Sequence, residues 1–332
     1  MATIWTARSI SEVMRSYQGA CVLLAAAELD LFSLLSRQAL TAAEVVSSLG
    51  SDLRATSILI DALCAMELLE KHDGKYSAAP GTADVLASFG KSSMLAMAQH
   101  QANCLRNWAQ LASIVKTGKP AYREPSVRGE AADYASFIEA MDNISRTIAP
   151  QLIAQLPEIQ FTHLLDVGGA SGTWTIAFLQ RYPNAKATLF DLAKVIPQAS
   201  ARLISANLLA RVRLVGGDFL IDPLPSGTDL AWVSAIIHQM SRAENRTLYS
   251  SIFAALNPGG QILIRDHVMD ATRTKPVSGA LFAVNMLTAT EAGGTYTFDE
   301  IADDLKSCGF ESAEMIRMED TMYCVVRARK PE

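Results

Sequence analysis

Apolar and polar positions alternate with two different periods along this chain. In the first half the apolar residues recur at helical spacing. SISEVMRSYQGACVLLAAAELDLFSLLS keeps an apolar face from Val13 to Leu35. Thr41-Ala-Ala-Glu44 then has the form of a capping box, in which the hydroxyl and the carboxylate satisfy amides at a helix start. That helix is expected to end near Gly50, and Ser51 and Asp52 can cap the next, RATSILIDALCAMELLEKH. Leu69 to Ala78 reads as a hairpin turning at Asp73-Gly74. Helix, helix, hairpin in that order is a winged-helix pattern. Further helical segments are predicted from Ser92 to Thr117 and from Tyr134 to Leu156.

At Phe161 the pattern changes to short apolar strands separated by helices. HLLDVGG, ATLFDL, VRLVGGD, DLAWVSAII and GQILIRD are strands, with helices near 171–181, 193–209 and 242–256. Such alternation implies a mainly parallel sheet covered on both faces. After a helix near 297–308 come ESAEMIRM and TMYCVVRAR, joined too closely to pair other than antiparallel. The fold class is therefore α/β: a Rossmann-like domain with a mainly parallel seven-stranded sheet and an antiparallel C-terminal hairpin, preceded by a helical winged-helix domain. The expected boundaries are 1–110 for the winged-helix part, 111–158 for a helical connection and pocket wall, and 159–332 for the α/β domain.

Composition narrows the functions. Half of the 332 residues are hydrophobic and 19% are charged, enough apolar material for two packed domains. The net charge of −5 offers nucleic acid no basic field. The segment 51–75 sets Arg54, Lys71 and Lys75 against Asp52, Asp61, Glu67, Glu70 and Asp73, a poor phosphate surface for a winged helix. No run approaches the roughly 18 apolar residues of a membrane span. The start of the chain lacks a basic segment leading into an apolar one, so no secretory signal is read and a cytoplasmic location is expected. Five scattered cysteines without a CxxC pair suggest reduced thiols and no metal site.

The chemistry centres on Asp166-Val-Gly168-Gly169-Ala170-Ser171-Gly172, where a strand turns tightly into a helix. Glycine is needed where a ligand must approach the main chain. A dehydrogenase fingerprint would need glycines at 168, 170 and 173, but Ala170 and Thr173 stand there. An acid before the loop is poor company for a pyrophosphate and suits an ammonium and a sulfonium. Asp191 closes the second strand, where a carboxylate accepts ribose hydroxyls. Asp218, in Gly216-Gly217-Asp218-Phe219, closes the third, where it can accept from an adenine amino group with Phe219 on the ring. Each acid alone also fits a cap or a turn. Together, at three successive strand ends, they point to a nucleoside and, with Asp166, to S-adenosylmethionine.

With these residues in view, the chain resembles the S-adenosylmethionine-dependent O-methyltransferases of the plant caffeate and isoflavone type and their bacterial natural-product relatives. The likeness rests on AAAELDLFSLL, LTAAEVVSSLG and LIDALCAMELLEKHDGKYSAAPGTADVL in the first part, similar to that family's winged-helix dimerisation domain. In the second it rests on LLDVGGASG, FDL, GGDF, IIHQM, ALNPGGQILIRD and TFDEIADDLKSCGF. A parallel sheet ending in an antiparallel hairpin also belongs to methyltransferase folds. The resemblance implies a homodimer whose first domain helps close the partner's pocket, and methyl transfer to a hydroxyl of a small aromatic or polyketide-like acceptor.

The family's general base is a histidine just past the fourth strand, normally followed by Asp and Trp. His238 holds that place, followed by Gln239 and Met240. The first supporting acid matches Asp266. The second is normally a Glu after a Gly-Gly pair; Gly293-Gly294 is present, but Tyr296 replaces the acid and is assigned a different, substrate-facing contact. By position the resemblance adds Ser145 and Ser234 to Asp166, Gly168, Gly172, Asp191, Asp218 and Phe219 as cofactor contacts. It makes Phe137, Met141, Asn285 and Met286 pocket walls, for which ordinary core packing is the alternative. Alternation along the strand is expected to turn His267 away from Asp266. Methylation at carbon or nitrogen, another reaction in the same pocket, an idle partner subunit and a ligand-sensing regulator stay open as alternatives.

Overall fold

The computed structural model describes residues 4–332. The chain forms two compact units: residues up to Arg106 together with Arg123–Asn143, and Asn107–Tyr122 together with Ile144–Glu332. The stretch 111–158, expected as a connection, is thus divided between them and forms no unit of its own.

In the first unit the long apolar stretch is three helices: α1 (Ala7–Arg15), α2 (Tyr17–Glu28) and α3 (Leu31–Arg37). The second break falls at Asp30, whose φ of 50° lies in the left-handed region that a short polar side chain tolerates. The apolar positions consequently do not share one face. Ala26, Ala27, Leu31, Phe32 and Leu35 are buried, whereas no residue of α1 is. A two-residue strand, β1 (Leu40–Thr41), leads into α4 (Ala42–Leu49). The capping box forms as read: Thr41 Oγ1 accepts from the Glu44 amide at 3.3 Å, and Glu44 accepts from the Thr41 amide at 2.7 Å. Gly50, at φ 64°, ends the helix. Asp52 caps α5 (Leu53–Ala65) through the Ala55 amide, while the Ser51 hydroxyl meets that of Thr56 instead. The hairpin β2 (Leu69–His72) and β3 (Lys75–Ala78) turns at Asp73-Gly74, both at positive φ, and β1 adds to the edge of β3. Then come α6 (Thr82–Leu86) and α7 (Leu95–Trp108).

The second unit takes up the end of α7 with α8 (Leu111–Thr117), and the second half of α9 (Glu130–Gln155). Then β4 (His163–Val167), α10 (Thr173–Arg181), β5 (Lys186–Asp191), α11 (Ile196–Ser205), β6 (Val212–Gly216), β7 (Thr228–Ser234), α12 (Arg242–Ala255) and β8 (Leu256–Asp266) alternate. A two-residue ladder, β9 (Val268–Met269) with β10 (Tyr296–Thr297), brackets α13 (Val277–Ala289). The chain closes with α14 (Phe298–Ser307), β11 (Glu311–Arg317) and β12 (Cys324–Arg329). Neither the ladder nor α13 was legible in the pattern: α13 is apolar almost all round, so it has little period to read.

The seven-stranded sheet runs β11-β12-β8-β7-β4-β5-β6, parallel from β6 to β8 and antiparallel at β12 and β11. Helices cover both faces, so the inner strands are apolar on both sides. Leu230 and Trp232 enter one core with Trp174 and Phe178; Ala231 and Val233 enter the other with Leu248 and Ile252. From β4 the chain winds one way through β5 and β6, then crosses back to β7 on the other side. The crevice outside the carboxyl ends of β4 and β7 is the topological switch point, where open α/β sheets bind ligands.

Candidate active site

The loop after β4 has Gly168, Ala170 and Gly172 at positive φ. Gly168, at φ 68°, holds a left-handed backbone that favours glycine, and a Cβ there would also press on the end of the Ile236 side chain, 2.6 Å away. Ala170 holds its unusual φ of 46° with its amide donating to Asp191 Oδ2 at 2.7 Å, and the other oxygen takes the Leu192 amide at 2.7 Å. Burial pushes the Asp191 carboxyl above its ordinary range, opposed by these two amides. It makes no ion pair among the described residues, and each oxygen keeps a lone pair. Asp218 is half-buried beyond β6 and accepts the Leu220 amide at 2.9 Å. The edge of Phe219 comes within 3.8 Å of where a Gly168 side chain would begin.

Asp166 is not on the open side of the loop. It is 1% exposed, packed beneath Gly169, and accepts from Thr175 Oγ1 at 2.6 Å. Burial lifts its pKa to about 7, Thr175 opposes the rise and the charge of Asp191 adds to it. The acid that suggested a cationic ligand therefore acts first as a support for the loop. Ser234 is likewise engaged, accepting from Arg265 Nη1 at 3.0 Å. The Arg265 guanidinium lies buried against the rings of Trp174 and Tyr323, and burial lowers its pKa to about 10 against the opposing pull of Asp266. Ser145 is half-buried on α9.

Beyond β7 the backbone passes through Ala235 at φ 57° into a single 3-10 turn, Ile237–Gln239, carrying His238. His238 Nδ1 lies 2.8 Å from both oxygens of Asp266, which ends β8. Asp266 also accepts the His267 amide at 2.8 Å. Burial alone would raise the Asp266 pKa, but His238, the amide and Arg265 outweigh it and hold the carboxyl below its usual value. An ionised acid at Nδ1 keeps the ring proton there and leaves the lone pair on Nε2, the arrangement of a general base. The turn is pinned from outside: Asn245 donates to the Ile237 carbonyl and the Gly294 amide to the His238 carbonyl, each at 2.9 Å. A side chain at Gly293 would collide with that same carbonyl, which accounts for the first glycine of the pair.

Some of the expected residues are engaged differently from the reading. Tyr296 is 8% exposed within the core, and its hydroxyl is spent on the Met240 carbonyl, to which it donates. Burial pushes that phenol up to about 12. His267 does not turn away, because β8 ends at Asp266 and strand alternation stops with it. Its ring lies 4.9 Å from Phe282, whose other contact is His238 at 4.8 Å, edge-on. Phe282 was missed in the sequence, although Phe282, Asn285 and Met286 share one side of a helix by their spacing. Phe137 and Met141 belong to the first unit, where Phe137 is 42% exposed and packs edge-on against His100. Asn285 accepts from Trp108 Nε1 at 2.9 Å, and Met286 is buried.

A doubly wound sheet whose carboxyl edge gathers a glycine loop, the acids Asp191 and Asp218 and a buried His–Asp pair has the form of a nucleoside-binding α/β enzyme. Comparison with known proteins gives the family. The O-methyltransferase domain model matches residues 108–311, and the O-methyltransferase dimerisation domain model matches residues 12–88. The 3-hydroxy-5-methyl-1-naphthoate 3-O-methyltransferase of Streptomyces sahachiroi is 31% identical, over 89% of this chain and 87% of that one. The tetracenomycin polyketide synthesis 8-O-methyl transferase TcmO of Streptomyces glaucescens is 30% identical, over 91% and 90%. Among solved structures, human N-acetylserotonin methyltransferase in complex with SAM shares the fold at a TM-score of 0.82, with 24% identity and complete coverage of both chains. The chain belongs to the O-methyltransferase family and is an S-adenosylmethionine-dependent O-methyltransferase carrying a dimerisation domain.

Proposed function

We propose that this enzyme methylates a hydroxyl of a small aromatic or polyketide-derived molecule, with His238 as general base and Asp266 as its orienting acid. The observation that carries the reading is the buried His238–Asp266 contact at the switch point, with both carboxylate oxygens 2.8 Å from Nδ1. The aromatic acceptor class is taken from the two Streptomyces relatives, whose names specify a hydroxynaphthoate and tetracenomycin polyketide synthesis.

The residues present fit S-adenosylmethionine. Asp191 is a carboxylate without a cation, its outer lone pairs suited to ribose hydroxyls. Asp218 and Phe219 suit the adenine, and Gly168 and Gly172 let the main chain come close. Ser145 and Ser234 are assigned to the remaining cofactor contacts, Ser234 together with Arg265. The cofactor supplies a methyl group already activated on a sulfonium. What the chain must do is align a hydroxyl and take its proton. Alignment alone contributes several kcal/mol, on the order of 7–11 for a well-oriented pair. His238 Nε2 accepts the proton, and Asp266 stabilises the imidazolium that results. Asn285, Met286 and Phe282 form the acceptor wall on α13. The active form is a homodimer built on the amino-terminal unit.

Incubation with radiolabelled S-adenosylmethionine and a panel of phenols, naphthols and polyketide-like acceptors tests the proposal. Label entering an ether of a hydroxyarene supports it. Label entering only carbon or nitrogen products overturns it.

A further inference from the structure

A second histidine beside the base has no assigned role. His267 is 6% exposed, and its Nδ1 is sealed from solvent without a hydrogen-bond partner. Its Nε2 makes no hydrogen bond among the described residues either, yet is not sealed. An unmet buried N–H costs more than an unmet acceptor, so the ring proton belongs on Nε2 and the lone pair on Nδ1. Burial holds the imidazole pKa below its ordinary value, against a raising pull from Asp266, so the ring is neutral. His238 carries its proton the other way, on the Nδ1 that faces Asp266. The two imidazoles flank Phe282, at 4.8 and 4.9 Å from its ring centre, and are therefore no more than about 10 Å apart. One presents a lone pair at Nε2 and the other an N–H.

Resting on the hydroxyl-acceptor reading above, we infer that His267 is a specificity residue of the acceptor site, its Nε2–H donating to a second oxygen on the aromatic acceptor. The acceptor is then a hydroxyarene that also bears a carboxylate or carbonyl oxygen within the span of one or two fused rings. The preference follows from burial. An acceptor lacking that oxygen would leave the Nε2–H desolvated and unpaired, and sites built around such a donor discriminate strongly. A carboxylate would in addition receive a charge-assisted bond.

The test uses a hydroxynaphthoate and the naphthol that lacks its carboxylate. Binding of each to the enzyme saturated with S-adenosylhomocysteine is measured by calorimetry, and methylation is measured separately. The wild type is expected to bind the hydroxynaphthoate about 10- to 100-fold more tightly than the naphthol. His267→Phe should abolish that preference and leave naphthol affinity within about threefold. His267→Gln, which keeps an N–H at a similar reach, should restore most of it. Thermal unfolding and S-adenosylhomocysteine affinity report whether each variant is folded. If His267→Phe misfolds, His267→Gln and His267→Leu carry the same comparison. A wild type that binds both acceptors equally, or neither, overturns the inference, and so does a folded variant that loses both equally. A hydroxynaphthoate bound with the expected preference but never methylated would instead refute the proposed reaction and leave the role of His267 standing.

Discussion

The hydroxyl of Tyr296 is bonded to the main-chain carbonyl of Met240, two residues beyond His238, the proposed base. The residue that replaces the family's second acid is thus tied to the backbone of the turn that carries His238, and His238 is left with one carboxylate, Asp266. Tyr296→Phe removes the donor and leaves a buried carbonyl unmet. It should cost about 1 kcal/mol of stability in urea unfolding and lower turnover only modestly, by less than about tenfold. A loss as large as that of removing His238 would show that the phenol takes part in chemistry.

Removing the proposed base separates chemistry from binding. His238→Ala should depress turnover by about 10²–10⁴-fold while S-adenosylhomocysteine affinity stays within about threefold of wild type. Single-turnover rates with calorimetry check both halves. Turnover that survives the substitution would mean that alignment suffices, and a nitrogen or carbon acceptor would become the better reading.

Asp266→Asn keeps the shape and loses the charge that holds the His238 proton on Nδ1. An amide that turns its NH2 toward Nδ1 moves the ring proton to Nε2, where it blocks the base. Turnover should fall by at least about 10²-fold and should not recover at higher pH. Recovery by pH 9 would show that the acid only tunes the imidazole pKa.

Asp166 gives the free enzyme a pH signature. Its carboxyl is raised from the ordinary 3.8 to about 7, chiefly by burial. The folded state therefore holds an extra proton between those values. The stability linked to this group is full below about pH 4 and is lost as pH rises through about 7. Asp166→Asn mimics the protonated form and should flatten that fall. Urea titrations at pH 5 and pH 8 without cofactor compare the slopes, and identical slopes would place the ionisation elsewhere.

On α1, Ile10, Val13 and Met14 are exposed, as is Tyr17 just beyond it. Apolar side chains gathered in this way mark an interface. Sedimentation should find a dimer at micromolar concentration, and Val13→Asp with Tyr17→Asp should shift it toward monomer. A wild-type monomer at that concentration would contradict the assignment.

How much could be read without coordinates depended on the range of the determining contacts. The Thr41–Glu44 box, the Asp73-Gly74 turn and the glycine loop are set by neighbours a few residues away, and each formed where it was read. His238 and Asp266, 28 residues apart, came together because the resemblance supplied what spacing cannot. The rest depends on tertiary packing. Nothing local places Phe282 against two histidines, directs Tyr296 to Met240, or turns Asp166 beneath Gly169 toward Thr175. The break at Asp30, which separates α2 from the buried face of α3, is likewise a backbone choice that the apolar period conceals.

The position of β12 has a consequence for synthesis. It lies between β11 and β8, with Cys324 opposite Asp266, so the strand bearing Asp266 becomes interior only when the last strand of the sheet arrives. A ribosome that has released everything through β11 has therefore made all of the named site residues but not the strand that completes their sheet. Until then β8 presents an unpaired edge from Gln261 to Asp266, with Ile262, Leu263 and Ile264 at its centre, a template for strands of other chains. Completion of the sheet and protection against aggregation are one event, and peptide extensions placed close behind Arg329 would trade against both.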